Sequence, residues 1–147
     1  MRVLFVCLGN SCRSPMAEAI ARKDAAGEIE PSSAGLAPLG FVAEMTIKTL
    51  QRNGYPVEGL GSKPILREAW EAADIVINMS GRARELAFRE YARVEDWDIE
   101  DPYGDPEKYQ GTFEAIHRHV AELAEKLRRT AVMRSRRETQ REKSNRE

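Results

Sequence analysis

The fold is decided by one stretch of sequence, Cys7-Leu8-Gly9-Asn10-Ser11-Cys12-Arg13-Ser14, which joins an apolar run to a helical pattern. The run before it, residues 2–6, predicts a buried strand, because its apolar residues are continuous, as in parallel sheets. The pattern after it predicts a helix to about residue 26, with Ser14 as its N-cap and Pro15 in its first turn. The stretch, called loop 7–14 below, is therefore a tight connection between a strand and a helix start.

The rest of the chain alternates between strand and helix patterns. Strands are predicted at residues 32–35, 74–79 and 94–98. Helices are predicted at residues 43–52 and 65–73, from residue 81 with Leu86 and Phe88 as apolar positions, and from about residue 112. This alternation predicts an α/β domain with a parallel sheet. Ligands of such sheets bind beyond the carboxyl ends of the strands, which is where loop 7–14 falls.

The length of 147 residues suits one domain, predicted at residues 1–127. Its last helix carries an apolar stripe that ends at Leu127. Residues 128–147 hold eight Arg or Lys and three Glu, which predicts a charged C-terminal helical extension or tail. Of the two, a helix that extends past the core with i,i+4 charge pairs is the preferred expectation. These patterns do not fix an oligomeric state.

Composition excludes several classes of protein. No window of about 18 apolar residues exists, so no membrane-spanning segment is expected. No signal peptide is apparent and both cysteines lie in loop 7–14, which favours reactive thiols in a reducing cytoplasm. The body has no basic stripe with interleaved aromatics, so nucleic acid is not an expected partner. The carboxylates do not cluster, and His117 and His119 point to different sides of a helix, so neither a metal nor another cofactor is expected.

Loop 7–14 has the chemistry of a site for a phosphate-like dianion. Gly9, Asn10 and Ser11 allow the tight backbone geometry in which several N–H donors converge. The helix start adds its positive end, and Arg13 adds a planar fork for two oxygens. The same donors favour the thiolate of Cys7, so the loop is expected to bind an anion and to activate a nucleophile together.

A second segment supplies the acid that such chemistry needs. Attack on phosphorus requires protonation of the leaving oxygen, and a carboxylic acid at the mouth of the site can provide the proton. Asp101 is the best candidate, because Pro102 stiffens its position and Tyr103 offers an aromatic wall. Asp105 is the spare candidate. The ionised acid would then activate water against the covalent intermediate.

Three motifs in this order resemble the low-molecular-weight protein tyrosine phosphatase family and the arsenate reductases built on the same fold. They are Cys7-x-Gly9-Asn10-x-Cys12-Arg13-Ser14-Pro15, then Ser33-Ala34-Gly35, then Asp101-Pro102-Tyr103. The resemblance covers the chain to about residue 127. It implies a three-layer sandwich around a central four-stranded parallel sheet, the phosphotyrosine phosphatase I-like fold. A phosphorylated protein carrying phosphotyrosine, or a small oxyanion, would be the substrate.

The resemblance also implies a role for each matching residue. Cys7 would be the nucleophile, Arg13 the transition-state clamp and Asp101 the acid and then the base. The anion would lie against Leu8, Gly9, Asn10, Ser11, Cys12 and Ser14, with Tyr103 and Phe41 beside the substrate. Within that set, Asn10 would hold the loop shape and Ser14 would donate to the Cys7 sulfur. Cys12 would be a backup thiol able to form a reversible disulfide with Cys7.

Two positions depart from the family pattern. Family phosphatases carry a bulky aromatic after Ser-Ala-Gly, whereas residues 36–41 hold only Phe41, and Gly104 replaces a second frequent aromatic. Thioredoxin-coupled reductases use a third cysteine, and this chain has none, so that relay cannot run. Three hypotheses follow: a phosphatase acting through a Cys7 phosphocysteine, an arsenate reductase coupled to a small thiol, and a non-catalytic oxyanion- or partner-binding module.

Overall fold

The computed structural model describes residues 1–146 and has a four-stranded sheet between two layers of helices. The strand order is β2-β1-β3-β4, and every neighbouring pair is parallel. This confirms the predicted α/β three-layer architecture. The elements in chain order are β1 (Arg2–Cys7), α1 (Arg13–Asp24), β2 (Glu30–Gly35), α2 (Glu44–Arg52), α3 (Arg67–Ala72), β3 (Ile75–Asn78), α4 (Arg84–Ala87), β4 (Val94–Asp96), a 3-10 turn (Pro106–Lys108) and α5 (Tyr109–Arg146).

The central strand β1 sends alternate side chains into two separate apolar clusters. Val3 and Phe5 pack in the cluster that contains α1 and α5, whereas Leu4 and Val6 pack in the cluster next to α3. All four are fully buried, as expected for a strand covered on both faces. Because side chains alternate along a strand, Cys7 lies on the same face as Val3 and Phe5. The nucleophile candidate therefore lies under the first turn of α1.

Two local predictions were wrong. Helix α1 begins at Arg13, and its N-cap position is Cys12, whose side chain makes no capping hydrogen bond. Ser14 is not the N-cap, because its hydroxyl bonds to groups of the loop and of β2. Helix α4 is only one turn long, so Leu86 is 89% exposed, whereas Phe88 is buried and stacks on Trp70 at 5.6 Å between ring centroids.

Helix α5 starts three residues earlier than predicted and continues through the charged C-terminal segment. Its buried side chains end at Ala124, and every side chain from Arg128 to Arg146 is exposed. The charged segment is helical over the described residues, as part of α5, and Glu147 lies outside them. Glu125 pairs with Arg128 and Arg129, at 2.7 Å and 3.0 Å, but no ion pair lies within residues 130–146. The expected charge pairs therefore occur only at the base of the extension.

Candidate active site

Loop 7–14 lines a cleft of about 250 Å³ at the carboxyl edge of the sheet, where β1 ends and α1 begins. Eight of the predicted site residues line it, together with Ala37 and Leu39, which the sequence did not single out. None of the backbone N–H groups of residues 9–13 has a hydrogen-bond acceptor within residues 1–146. These donors are therefore available to an anion. The lining residues are Cys7, Leu8, Gly9, Ser11, Cys12, Arg13, Ala37, Leu39, Asp101 and Tyr103.

The sulfur of Cys7 has two hydrogen-bond partners on α1. Its Sγ lies 3.0 Å from the Ser14 hydroxyl oxygen and 3.4 Å from the Ser14 backbone N–H donor. The Ser14 N–H is a donor to the sulfur, which also lies at the N-terminal, positive end of α1. Cys7 is 2% exposed. The geometry therefore holds the Cys7 sulfur in the lining of the cleft, next to the first turn of α1.

Asn10 holds the loop in shape from beneath the cleft. It has a left-handed backbone (φ 46°), which Asn tolerates better than most residues, and its side chain is fully buried. Its amide nitrogen donates to the hydroxyls of Ser14 and Ser33, at 2.7 Å and 3.1 Å, and its amide oxygen accepts from the Lys63 N–H at 2.9 Å. Because Ser14 accepts from Asn10, its own proton is free for the Cys7 sulfur or the Ala34 carbonyl.

A buried carboxylate that sequence analysis missed lies at the far end of this network. The Ser33 hydroxyl donates to Glu18 at 2.6 Å, and Glu18, 4% exposed, also pairs with Arg22. With its proton committed to Glu18, Ser33 accepts from Asn10, and so the donor direction is fixed as far as the Ser14 hydroxyl, which accepts from Asn10. The available sequence signal was an acidic residue among the apolar positions of α1, four residues before an arginine.

The guanidinium of Arg13 is fixed by backbone carbonyls of two distant segments. Its Nη1 donates to the carbonyl of Met79, after β3, and to that of Ile99, after β4, the latter at 3.1 Å. Its Nη2 lies 3.4 Å from Asp101. Arg13 is 5% exposed and contributes to the lining of the cleft. The Nε–H of its guanidinium has no protein acceptor within residues 1–146.

The structure separates the two candidate acids. Asp101 lines the cleft, accepts from the Tyr103 N–H at 3.1 Å and has a side chain that is 46% exposed. Asp105 instead accepts from the Glu107 N–H at 3.2 Å and so caps the 3-10 turn. Asp105 therefore has a structural role as a cap, and Asp101 is the candidate carboxyl that lines the cleft.

Phe41, expected beside the substrate, is not among the residues that line the cleft. Segment 37–39 lies beside loop 7–14 because two of its backbone N–H groups donate to carbonyls of the loop. The N–H of Ala37 donates to the Leu8 carbonyl at 2.8 Å, and that of Leu39 to the Gly9 carbonyl at 3.0 Å. The chain then turns at Gly40, which has a left-handed φ of +87°, so that Phe41 is 52% exposed and not part of the lining. Leu39 takes the wall position expected for an aromatic residue.

Cys12 lies in the same cleft but in different surroundings. Its Sγ is 3.4 Å from the Tyr109 hydroxyl, and the residue is 4% exposed. Burial raises the pKa of the Cys12 thiol above its ordinary value, despite the opposing hydrogen bond with Tyr109. Both cysteines are free. A reversible disulfide with Cys7 stays a prediction.

Comparison with known proteins agrees with this geometry. The sequence signature of the family described as "Low molecular weight phosphotyrosine protein phosphatase" matches residues 2–133. The chain belongs to this family. Membership makes it a cysteine-dependent phosphatase of the low-molecular-weight type. Within residues 1–146 no group of three or more His, Cys, Asp or Glu is placed to hold a metal, and no helix is long and apolar enough to cross a bilayer.

Relatives within the family differ in what their names say they act on. A protein-arginine-phosphatase of Bacillus subtilis (strain 168) is 30% identical, over 88% of this chain and 98% of its own. A glutaredoxin arsenate reductase of Synechocystis sp. (strain ATCC 27184 / PCC 6803 / Kazusa) is 34% identical, over 86% and 95%. The crystal structure of a low-molecular-weight protein tyrosine phosphatase from T. tengcongensis matches with a TM-score of 0.76 and 34% identity, over 86% and 99%.

Replacing Gly35 by Ala is expected to disturb the anion loop of this phosphatase. A Cβ there would lie 2.9 Å from the backbone nitrogen of Asn10 and from the carbonyl oxygen of Leu8, so backbone must move. We expect a loss of about 1–3 kcal/mol in the free energy of unfolding, measured with urea, and slower hydrolysis of an aryl phosphate. The matched control is Gly111→Ala, where a Cβ meets nothing within 4 Å. Because Gly111 lies in helix α5, replacing it by Ala should raise the free energy of unfolding by about 0.5–1 kcal/mol. Equal stability changes at the two positions would contradict the prediction.

Proposed function

We propose that this phosphatase hydrolyses phosphorylated side chains of proteins, with Cys7, Arg13 and Asp101 carrying the reaction. The observation that supports it best is the Cys7 sulfur, 3.0 Å from the Ser14 hydroxyl, in a cleft lined by N–H donors without protein acceptors. Such donors stabilise the charge that develops on the phosphoryl oxygens, as they do in other acyl- and phosphoryl-transfer sites.

In the first step, the Cys7 thiolate attacks phosphorus and the bond to the leaving oxygen breaks. Asp101, in its protonated form, gives its proton to that oxygen, so the product leaves as a neutral alcohol or phenol. Arg13 and the loop N–H groups hold the equatorial oxygens, with the free Nε of Arg13 as one donor. The intermediate is a phosphocysteine.

In the second step, water hydrolyses this phosphocysteine. Asp101, now ionised, takes a proton from the water while the water oxygen attacks phosphorus. The phosphorus–sulfur bond breaks, and the electron pair returns to Cys7 as a thiolate, which the Ser14 hydroxyl and N–H stabilise. Inorganic phosphate then leaves. Asp101 ends the cycle protonated again, and no metal or redox partner takes part in either step.

The cleft walls support two candidates for the phosphorylated residue. Tyr103 with Leu8 and Leu39 forms an apolar rim that suits the ring of phosphotyrosine. Ser11, however, is 2% exposed and its hydroxyl has no partner within residues 1–146. A phosphoarginine substrate, whose bridging nitrogen carries a hydrogen, would give that oxygen a donor, whereas a phosphotyrosine oxygen would not. Phosphoarginine is therefore the second candidate.

A turnover panel tests the proposal. It compares peptides carrying phosphotyrosine, phosphoarginine and phosphoserine with an aryl phosphate, and with arsenate in the presence and absence of glutathione. We expect phosphate release from at least one phosphopeptide and from the aryl phosphate. Arsenite that forms only with added thiol, without phosphatase turnover, would replace the proposal by an arsenate reductase. Phosphate binding without any turnover would favour a non-catalytic binding module.

The two free cysteines further support a reducing compartment, and we propose the cytoplasm.

A further inference from the structure

The mouth of the cleft is bordered by a segment of unusual charge. Residues 95–108, called the acidic rim below, contain seven Asp or Glu and a single Lys, although the whole chain has a formal net charge of only −1. Asp101 and Tyr103, which line the cleft, lie in the middle of this segment. A substrate that reaches Cys7 must therefore pass beside it.

Only part of this negative charge is compensated within the protein. Glu100 pairs with Lys108 at 2.6 Å, Glu95 pairs with Lys126 at 3.7 Å, and Asp101 pairs with Arg13. The acids without an ion pair within residues 1–146 are three exposed ones, Asp96, Asp98 and Glu107, of which Asp96 accepts a hydrogen bond from Asn78. Arg82 borders the same surface hollow as Asp98 but forms no ion pair with it.

Apart from Arg13 and Asp101, the cleft lining formed by residues 1–146 carries no charged side chain. Four of its residues, Leu8, Gly9, Ala37 and Leu39, have apolar side chains or none, so they cannot offset the acidic rim. Independent evidence that the cleft receives a ligand comes from its buried, unpartnered polar atoms, the Ser11 hydroxyl and the Arg13 Nε. The site therefore combines N–H donors and the Arg13 guanidinium for the phosphoryl group with a lining that is otherwise largely apolar, beside the acidic rim.

We propose that the acidic rim selects phosphorylated residues that are flanked by Lys or Arg, and that it disfavours acidic flanks. This inference rests on the proposed phosphatase function. Carboxylates at the mouth repel acidic neighbours of the phosphorylated residue and attract basic ones, and such charge complementarity governs both specificity and the rate of encounter. The phosphoryl dianion itself is held by the loop, so the rim acts on the residues around it.

The test uses three peptides that share one phosphorylated residue and differ only in flanking Lys, Ala or Glu. We expect kcat/KM to fall in that order, by roughly tenfold between the Lys and Glu peptides at low ionic strength. The difference should nearly vanish at 1 M salt, where screening reduces the Debye length to about 3 Å. Turnover of the Ala peptide reports on the phosphatase function by itself. Equal kcat/KM for all three peptides at low salt would overturn the selectivity while leaving the function in place.

Charge reversal identifies the groups responsible. The double variant Asp98→Lys with Glu107→Lys should lower the Lys-to-Glu preference at least threefold and leave hydrolysis of the Ala peptide within twofold. The matched control reverses two exposed acids without ion pairs elsewhere, Glu68→Lys with Glu90→Lys. This control makes the same change in net charge, but both positions lie outside the acidic rim. It should therefore keep the Lys-to-Glu preference of the wild-type protein. Equal loss of preference in the two double variants would assign the effect to net charge and would overturn a role of the rim.

Discussion

Replacing Cys7 by Ser is expected to lower kcat for an aryl phosphate by about four orders of magnitude or more, because the nucleophile of a covalent mechanism is lost. An alcohol in that position stays protonated, and the contacts with the Ser14 hydroxyl and N–H that suit a thiolate do not make it ionise. Inorganic phosphate should still bind, since the loop N–H groups and Arg13 are unchanged.

The two measurements separate chemistry from folding. Steady-state hydrolysis reports the loss of the nucleophile, whereas calorimetric titration with phosphate reports whether the anion site is intact. Wild-type and Cys7→Ser proteins that hydrolyse at equal rates would end the phosphocysteine mechanism. Loss of phosphate binding together with turnover would instead mean that Cys7 maintains the loop, and circular dichroism would then show whether the variant is folded.

Replacing Asp101 by Asn is expected to slow hydrolysis of an alkyl phosphate by about 10²–10⁴-fold, the range typical of a lost general acid or base. The effect should be smaller for p-nitrophenyl phosphate, because a phenolate of low basicity leaves without a proton. An amide keeps the size of the side chain and its acceptor for the Tyr103 N–H, so the local fold is retained.

The matched control for this prediction is Asp105→Asn, the same change four residues later. Asp105 caps the 3-10 turn and is not part of the cleft lining, and Asn is nearly as good a cap as Asp. Its rates should stay within about threefold of wild type for both substrates. If both variants lost activity equally, or if the loss at Asp101 did not depend on the leaving group, Asp101 would not be the acid.

Short-range features were predictable because their cause is local. The apolar run of β1 and the glycine, asparagine and arginine of loop 7–14 are contiguous, so the strand, the turn and the anion chemistry follow from neighbouring residues. The Asp-Pro-Tyr motif indicated Asp101 in the same way. The prediction that Ser14 is the N-cap of α1 was wrong, because its hydroxyl bonds to the Cys7 sulfur and to the Asn10 amide and does not cap the helix.

The sequence alone therefore determined the fold class and the place of loop 7–14 between β1 and α1, and it predicted Cys7 as the nucleophile, because each depends on residues close together in the chain. Only the tertiary structure decided how Arg13 is held, since its acceptors, the carbonyls of Met79 and Ile99, follow two other strands. The same holds for the link from Glu18 through Ser33 to Asn10, and for Leu39 replacing Phe41 at the wall. Parallel strands bring such separated residues together at one edge of the sheet, and no pattern within a single segment records which of them will meet there.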